Sequence, residues 1–389
     1  MKKKNILDYL KSNNSIFNDE PFNNIDSLIL CQFFYGKIEK QINESDKKNW
    51  KVKDLYRAEY FDKMFIDDIS DEENKEVMTL MAANPRFREI NIKNLVVEFN
   101  EKREMQFAAV TYEIDNNTDY ICFRGTDGTM LGWKEDFNMA FMTETPSQKN
   151  AVHYIKKFYE NIDNKKLYIG GHSKGGNLAV YGASLCGNQI QGNILKVFSH
   201  DGPGFRDEFF LEKGYEEIKD RIFKMVPQTS AVGMLLENQV DYKVVKSSAF
   251  SILQQHSAFT WMINEYDFEY LKERSGEGIY IDNTMHQWLM SATLREREIF
   301  VDTLFNIFNN NGIDTIRDAN AIKARDIAEI IGSLDELDEE SKKVFFSMIK
   351  SLIVIAIIGR KESALKRMEI GKKPLEKMLD DLNSNLFKK

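Results

Sequence analysis

A chain of 389 residues exceeds one average domain, and 42% hydrophobic with 12% aromatic residues is enough to build a large core. Its formal net charge of −8 lacks the basic excess that counterion release on a phosphate backbone needs, so nucleic acid is not an expected partner. Cys31, Cys122 and Cys186 are odd in number, far apart and set among apolar residues, which predicts buried free thiols in a reducing compartment. Asp8 and Lys11 interrupt any apolar leader after the basic start, and cytoplasmic residence is the expectation.

Residues 5–45 show helical periodicity through Ile6, Leu7 and Leu10, then Ile25, Leu28, Ile29 and Phe33, with Asp26-Ser27 as a cap signal. From about 93 the pattern turns to strands: Leu95–Phe99, Phe107–Tyr112 and, after the Asp115-Asn116-Asn117 turn, Tyr120–Phe123, which together predict an antiparallel meander. Strands and helices then alternate, with a helix near 147–161, strand 166–170, helix 174–186, and strands at Ile194–Ser199, Arg221–Val226 and Val240–Lys246. That order predicts an α/β fold with a mostly parallel sheet flanked by helices. Beyond 284 the strand signals stop, and helical stretches at Trp288–Asn306, Ala321–Leu334 and Ser341–Ile358 predict a C-terminal helical region, giving domains 1–283 and 284–389. The apolar run Val344–Gly359 contains Lys350 and is short for a membrane span; it reads as a buried helix, with a helix lying on a membrane surface as the alternative.

Within Lys166–Val180, the residues Gly171-His172-Ser173-Lys174-Gly175 join an apolar strand to an apolar helix. A Gly-x-Ser-x-Gly turn in that context is a nucleophile elbow, in which small residues let strand and helix pass closely around a strained serine. A serine hydroxyl needs a base for its proton and donors for the oxyanion it generates. In chain order the acid and then the histidine follow an elbow serine, leaving His200, His256 and His286; His153 precedes it in a helix and His172 sits inside the turn. His256 follows the last predicted strand and is the preferred base. Asp201 ends a predicted strand, on the sheet edge where parallel-sheet sites collect, and is preferred as the acid over Asp207 and Asp241. The N–H of Lys174, the residue after the serine, supplies one oxyanion donor, and Thr126 in Phe123-Arg124-Gly125-Thr126-Asp127-Gly128 supplies the second.

Phe123-Arg124-Gly125-Thr126, Gly132–Phe137 and the elbow together resemble class 3 lipases. More closely, those segments with Ile6–Leu10, Asp26–Leu30, Tyr168–Leu178 and Ser199–Phe205 resemble a bacterial family of lipase-like α/β-hydrolases, over most of residues 1–300. The resemblance implies an α/β-hydrolase fold with Ser173 as nucleophile, His256 as base, and Thr126 and Lys174 as oxyanion donors. Its acid does not carry over: class 3 lipases place a carboxylate just before a Val-Pro pair, where this chain has Lys224-Met225-Val226-Pro227. Asp201 matches instead the acid position of pancreatic-type lipases. The expected activity is therefore a serine hydrolase of carboxylic esters, acting through an acyl-enzyme on an acyl lipid or small acyl ester. No phosphate loop, dinucleotide fingerprint or metal-spaced cluster is present in the sequence, so no cofactor or metal is expected. The alternative is a non-catalytic scaffold of the same fold that binds a partner through its helical tail.

Overall fold

The computed structural model describes residues 4–66, 70–162, 165–321 and 337–358. Within them a nine-stranded sheet runs in chain order: β1 Trp50–Lys51, β2 Asn91–Asn100, β3 Met105–Asp115, β4 Thr118–Phe123, β5 Lys166–His172, β6 Ile194–His200, β7 Ile222–Pro227, β8 Tyr242–Val245 and β9 Tyr270–Leu271. Strands β1 to β4 pair antiparallel, β4 to β8 pair parallel, and β9 returns antiparallel on β8. The sheet is thus half parallel, four pairings of eight, rather than mostly parallel. The predicted antiparallel meander is present, its connections 101–104 and 116–117 being short enough only to reverse a strand, and the difference comes from the antiparallel pairings of β1 and β9. The two-residue strands β1 and β9 are too short to leave a periodic signal.

Parallel neighbours that always step in one direction place every right-handed crossover on one face. Accordingly the crossover helices Pro146–Tyr159, Lys174–Leu185 and Lys213–Ile218 pack Ala151, Tyr154, Leu178, Ala179 and Ile218 against Phe107, Ala109, Ile121, Phe123 and Val197. The alternate residues Ala108, Val110, Tyr112, Tyr120, Cys122 and Phe198 point the other way. Left alone, that face would be solvated. The N-terminal helices Ile6–Ser12, Asn24–Phe33 and Asp71–Ala83 cover it with Ile6, Leu10, Leu28, Ile29, Phe33, Val77 and Met78, so these three helices form the sheet's second layer. Asp26 and Arg86, both fully buried and 2.6 Å apart, tie two of these segments together. The three cysteines are free and buried.

The predicted helix Trp288–Asn306 is two helices, Gly276–Met290 and Leu294–Asn310, because Thr293 and Glu296 form a capping box that restarts the chain after Ser291. The first of the two runs across positions 283 and 284. With a helix over 339–358 they build a third apolar cluster, Trp288, Phe300, Phe305, Phe345 and Met348, which also takes in Met130 from the sheet-associated helix Met130–Asn138. The predicted burial of 344–359 is met only in part: Phe345 and Met348 are buried, whereas Ile353, Val354, Ile357 and Ile358 are exposed. Among the described residues no helix is long and apolar enough to cross a membrane. Of the predicted helix Ala321–Leu334, all but Ala321 lies outside the described residues.

Candidate active site

Strand β5 passes directly into the helix Lys174–Leu185, and the junction residue Ser173 has φ 57° and ψ −132°. A non-glycine residue held there costs about 1–3 kcal/mol, so the surroundings must fix it. They do so by close approach. A Cβ on Gly171 would stand 2.2 Å from the Gly175 carbonyl oxygen, and one on Gly175 would stand 2.1 Å from that of Phe123. The Ser173 N–H donates to the His200 carbonyl at 3.0 Å, pinning the turn to the end of β6.

Asp201, one residue past β6, is fully buried with φ 51°. Its N–H donates to the Met225 carbonyl at 2.7 Å, and its Oδ1 accepts from the Ser230 hydroxyl at 2.5 Å. The other oxygen, Oδ2, lies 2.6 Å from His256 Nδ1. A carboxylate can only accept, so Nδ1 carries the proton and Nε2 of the neutral ring is left with its lone pair. Lys224 closes the turn behind Asp201 by donating from Nζ to the Gly202 carbonyl at 2.5 Å; burial lowers this amine to about 8, against the pull of Asp201.

His256 ends the short helix Ile252–His256 and is held by its backbone as well as its ring. His172 stacks on it at 4.7 Å between centroids, and His172 Nε2 lies 3.0 Å from the His256 carbonyl. That carbonyl requires Nε2 to carry the proton, so His172 Nδ1 accepts from the Tyr35 hydroxyl at 3.0 Å. Burial, reinforced by the neighbouring His256, drops His172 to about 3 and keeps it neutral. One residue earlier, the Gln255 carbonyl accepts from Trp261 Nε1 at 2.8 Å.

On the opposite side of the serine, Lys174 opens its helix, where the first N–H groups have no intrahelical acceptor. Its side chain turns away from solvent: Nζ donates to the Gln106 carbonyl and Oε1, both at 2.8 Å, and pairs with Glu135 at 3.1 Å, with both charged side chains fully buried. Glu135 accepts in addition from the Ser147 N–H and hydroxyl and the Gln106 N–H. This network ties the elbow to β3 and to the helix Met130–Asn138. The Thr126 hydroxyl, expected to face an oxyanion, donates instead to Asp136. The Thr126 N–H, like those of Gly125, Asp127 and Gly128, has no acceptor among the described residues and is open as a donor. Burial pushes the Asp136 carboxyl up to about 6 against the pull of Lys174 and Thr126.

Ser173, His256, Thr126, Lys174 and Asp136 line one cavity of about 270 Å³, walled mainly by apolar residues including Trp133, Phe137, Leu235, Met285, Trp288 and Leu289. Among the described residues no hydrogen bond joins Ser173 to His256; catalytic contacts of this kind are often long in unliganded sites. The other candidates lie apart from this cavity. His200 is buried against Ser27 at 2.9 Å in the N-terminal layer, His286 is exposed beside Glu237 at 3.3 Å, and His153, Asp207 and Asp241 are exposed. The sequence reading assigned no role to Asp136, Glu135, Ser230 or Lys224. The first two lie in the Gly132–Phe137 segment already singled out, while Ser230 is a hydroxyl three residues after the Val-Pro pair. Among the described residues no cluster of histidine, cysteine and carboxylate side chains could hold a metal ion.

A model of the Mbeg1-like family matches residues 81–306, a segment that contains all five candidate site residues. No curated protein matches. Among solved structures, the native Rhizomucor miehei lipase propeptide complex is similar at 17% identity over 47% of this chain and 62% of that chain, with a TM-score of 0.31. M37 lipase is similar at 16% identity over 54% of this chain and 67% of that chain, also at 0.31. The chain therefore spans under two thirds of the Rhizomucor miehei complex chain, and the chemistry of the site rests on its own geometry.

Proposed function

The chain belongs to the Mbeg1-like family, and from that premise and the cavity's geometry we propose that it is a serine hydrolase cleaving carboxylic esters through an acyl-enzyme. The observation that carries this reading is the convergence on one cavity of Ser173, at a positive φ between strand and helix, and of His256, whose Nδ1 is 2.6 Å from the buried Asp201 carboxylate.

Ser173 Oγ attacks the ester carbonyl carbon while its proton passes to His256 Nε2, and Asp201 stabilises the imidazolium that results. The negative charge on the carbonyl oxygen is received by the N–H groups of Lys174 and Thr126. Collapse breaks the bond to the alcohol oxygen, which takes the proton from His256, and water then releases the acyl group by the same steps in reverse. The apolar wall formed by Trp133, Phe137, Met285 and Trp288 suits the acyl half of an acyl lipid or small acyl ester. Stopped-flow hydrolysis of p-nitrophenyl butyrate tests the proposal. A burst of about one p-nitrophenol per chain, absent in Ser173→Ala, is the expected result. Equal hydrolysis by wild type and Ser173→Ala sinks it.

A further inference from the structure

Among the polar side chains of the cavity wall that the chemistry above does not use, Gln32 is enclosed and unbonded. Gln32 lies in the N-terminal helix Asn24–Phe33, is 3% exposed and lines the cavity. Its amide makes no hydrogen bond among the described residues, and Nε2 is enclosed without a partner. At the same site Lys174, Glu135, Asp201, Ser230 and His172 are bonded, and Asp136 bonds Thr126 through one oxygen while the other is enclosed without a partner, so Gln32 is set apart by an amide that bonds through neither atom. Leaving a buried amide unpaired is costly, and a Met or Leu side chain would fill the same volume without that cost. A donor and acceptor kept unbonded in a cavity wall fits a partner that arrives with the ligand.

The position of Gln32 says which half of the ester it meets. Three residues on, Tyr35 bonds His172, and His172 stacks on His256. Phe33, Ala258 and Trp261 belong to one core cluster, so the helix carrying Gln32 and the segment carrying His256 sit over the same face of the sheet. The apolar wall comes from elsewhere: Phe137, Met285, Trp288 and Leu289 belong to the cluster built by the C-terminal helices. In the proposed reaction His256 hands its proton to the departing alcohol oxygen, so the alcohol half lies on the base's side and the acyl half against the apolar wall.

We propose that Gln32 is a specificity-determining residue that hydrogen-bonds a hydroxyl on the alcohol half of the substrate, making monoacyl esters of a polyol the preferred class over esters of simple alcohols. This rests on the serine hydrolase reading. The test compares kcat/KM for glycerol monobutyrate and propyl butyrate, which share the acyl group and the three-carbon alcohol, in wild type and in Gln32→Met. One well-placed hydrogen bond corresponds to about tenfold, so the wild-type ratio is expected near ten and the Gln32→Met ratio near one. A wild-type ratio at or below one overturns the proposal without any variant, and so does a ratio unchanged in Gln32→Met. Labelling of Ser173 by a fluorophosphonate separates the two levels. Labelling with no preference overturns the Gln32 assignment alone, whereas no labelling and no hydrolysis of either ester overturns the hydrolase reading and this one with it. Should Gln32→Met fail to accumulate folded, Gln32→Glu keeps the size and an acceptor, and a ratio between one and ten supports the assignment while a ratio of ten or more contradicts it.

Discussion

The two sides of Ser173 are held by different means. On the base side, the polar groups that matter face the cavity or lie one bond behind it: His256 on Asp201, Asp201 on Ser230, His256's carbonyl on His172. On the oxyanion side, the strong electrostatics point away from the cavity, into a buried Lys174–Glu135 pair whose effect at the site is to fix where backbone N–H groups stand. In the proposed reaction the base side would work by side-chain charge, and the oxyanion side by backbone position. Substitutions on the base side should therefore cost activity with modest cost in stability, and those beneath the oxyanion side the reverse.

The largest effect is expected at His256. His256→Ala should lower turnover on p-nitrophenyl butyrate by an amount comparable to loss of the nucleophile, on the order of a millionfold, whereas His286→Ala should leave it unchanged. Equal losses in the two variants would move the base elsewhere. Asp201→Asn keeps the shape, loses the charge and offers His256 the wrong tautomer, for about a ten-thousandfold drop in kcat. A loss under tenfold would mean that Asp201 is only a turn residue. On the oxyanion side, Thr126→Val leaves the backbone N–H in place but cuts the tie to Asp136, and a displaced donor should cost up to about a hundredfold in kcat. Full activity in that variant would show that the hydroxyl positions nothing.

Beneath the oxyanion side the readout changes to stability. Glu135→Gln leaves the Lys174 ammonium buried without its counter-charge and should lower the unfolding free energy in urea by about 3–5 kcal/mol. A change within the scatter of surface substitutions would contradict the comparison. The smallest and most selective effect concerns pH. His172 takes a proton at about 3 when folded and near its ordinary value of 6.5 when unfolded, so its share of stability is complete above 6.5 and lost as pH falls through that window. His172→Gln keeps a donor for the His256 carbonyl and an acceptor for Tyr35 without titrating. The stability advantage of wild type over that variant should shrink between pH 6.5 and 3, and an advantage constant across that range would mean that His172 is not buried and neutral.

Local signals made much of this legible in the sequence. The elbow was readable because the strand, the glycines and the helix are contiguous, and Asp201 because a strand end with a Gly-Pro turn marks the edge where sites collect. What was missed depends on partners distant in the chain. Glu135 gains its meaning from Lys174, 39 residues on, and Gln32 from a cavity whose other walls come largely from residues 126–140, 172–174 and 232–289. Thr126 lines the cavity from the loop the sequence pointed to, but the direction of its hydroxyl is set by Asp136 in the helix that follows. The antiparallel meander was readable, and the half-parallel sheet escaped because the two-residue strands β1 and β9, which add the other two antiparallel pairings, leave no period. The break before Leu294 did have a local signal, the Thr293–Glu296 capping box inside an otherwise continuous apolar pattern.

The central claim, an activated Ser173 in a formed site, is tested most directly by incubating the purified chain with a fluorophosphonate and mapping the adduct by mass spectrometry. The account predicts one adduct per chain, on Ser173, lost in Ser173→Ala and slowed in Asp201→Asn. No adduct, or an adduct on another residue at the same rate in all three proteins, would contradict it.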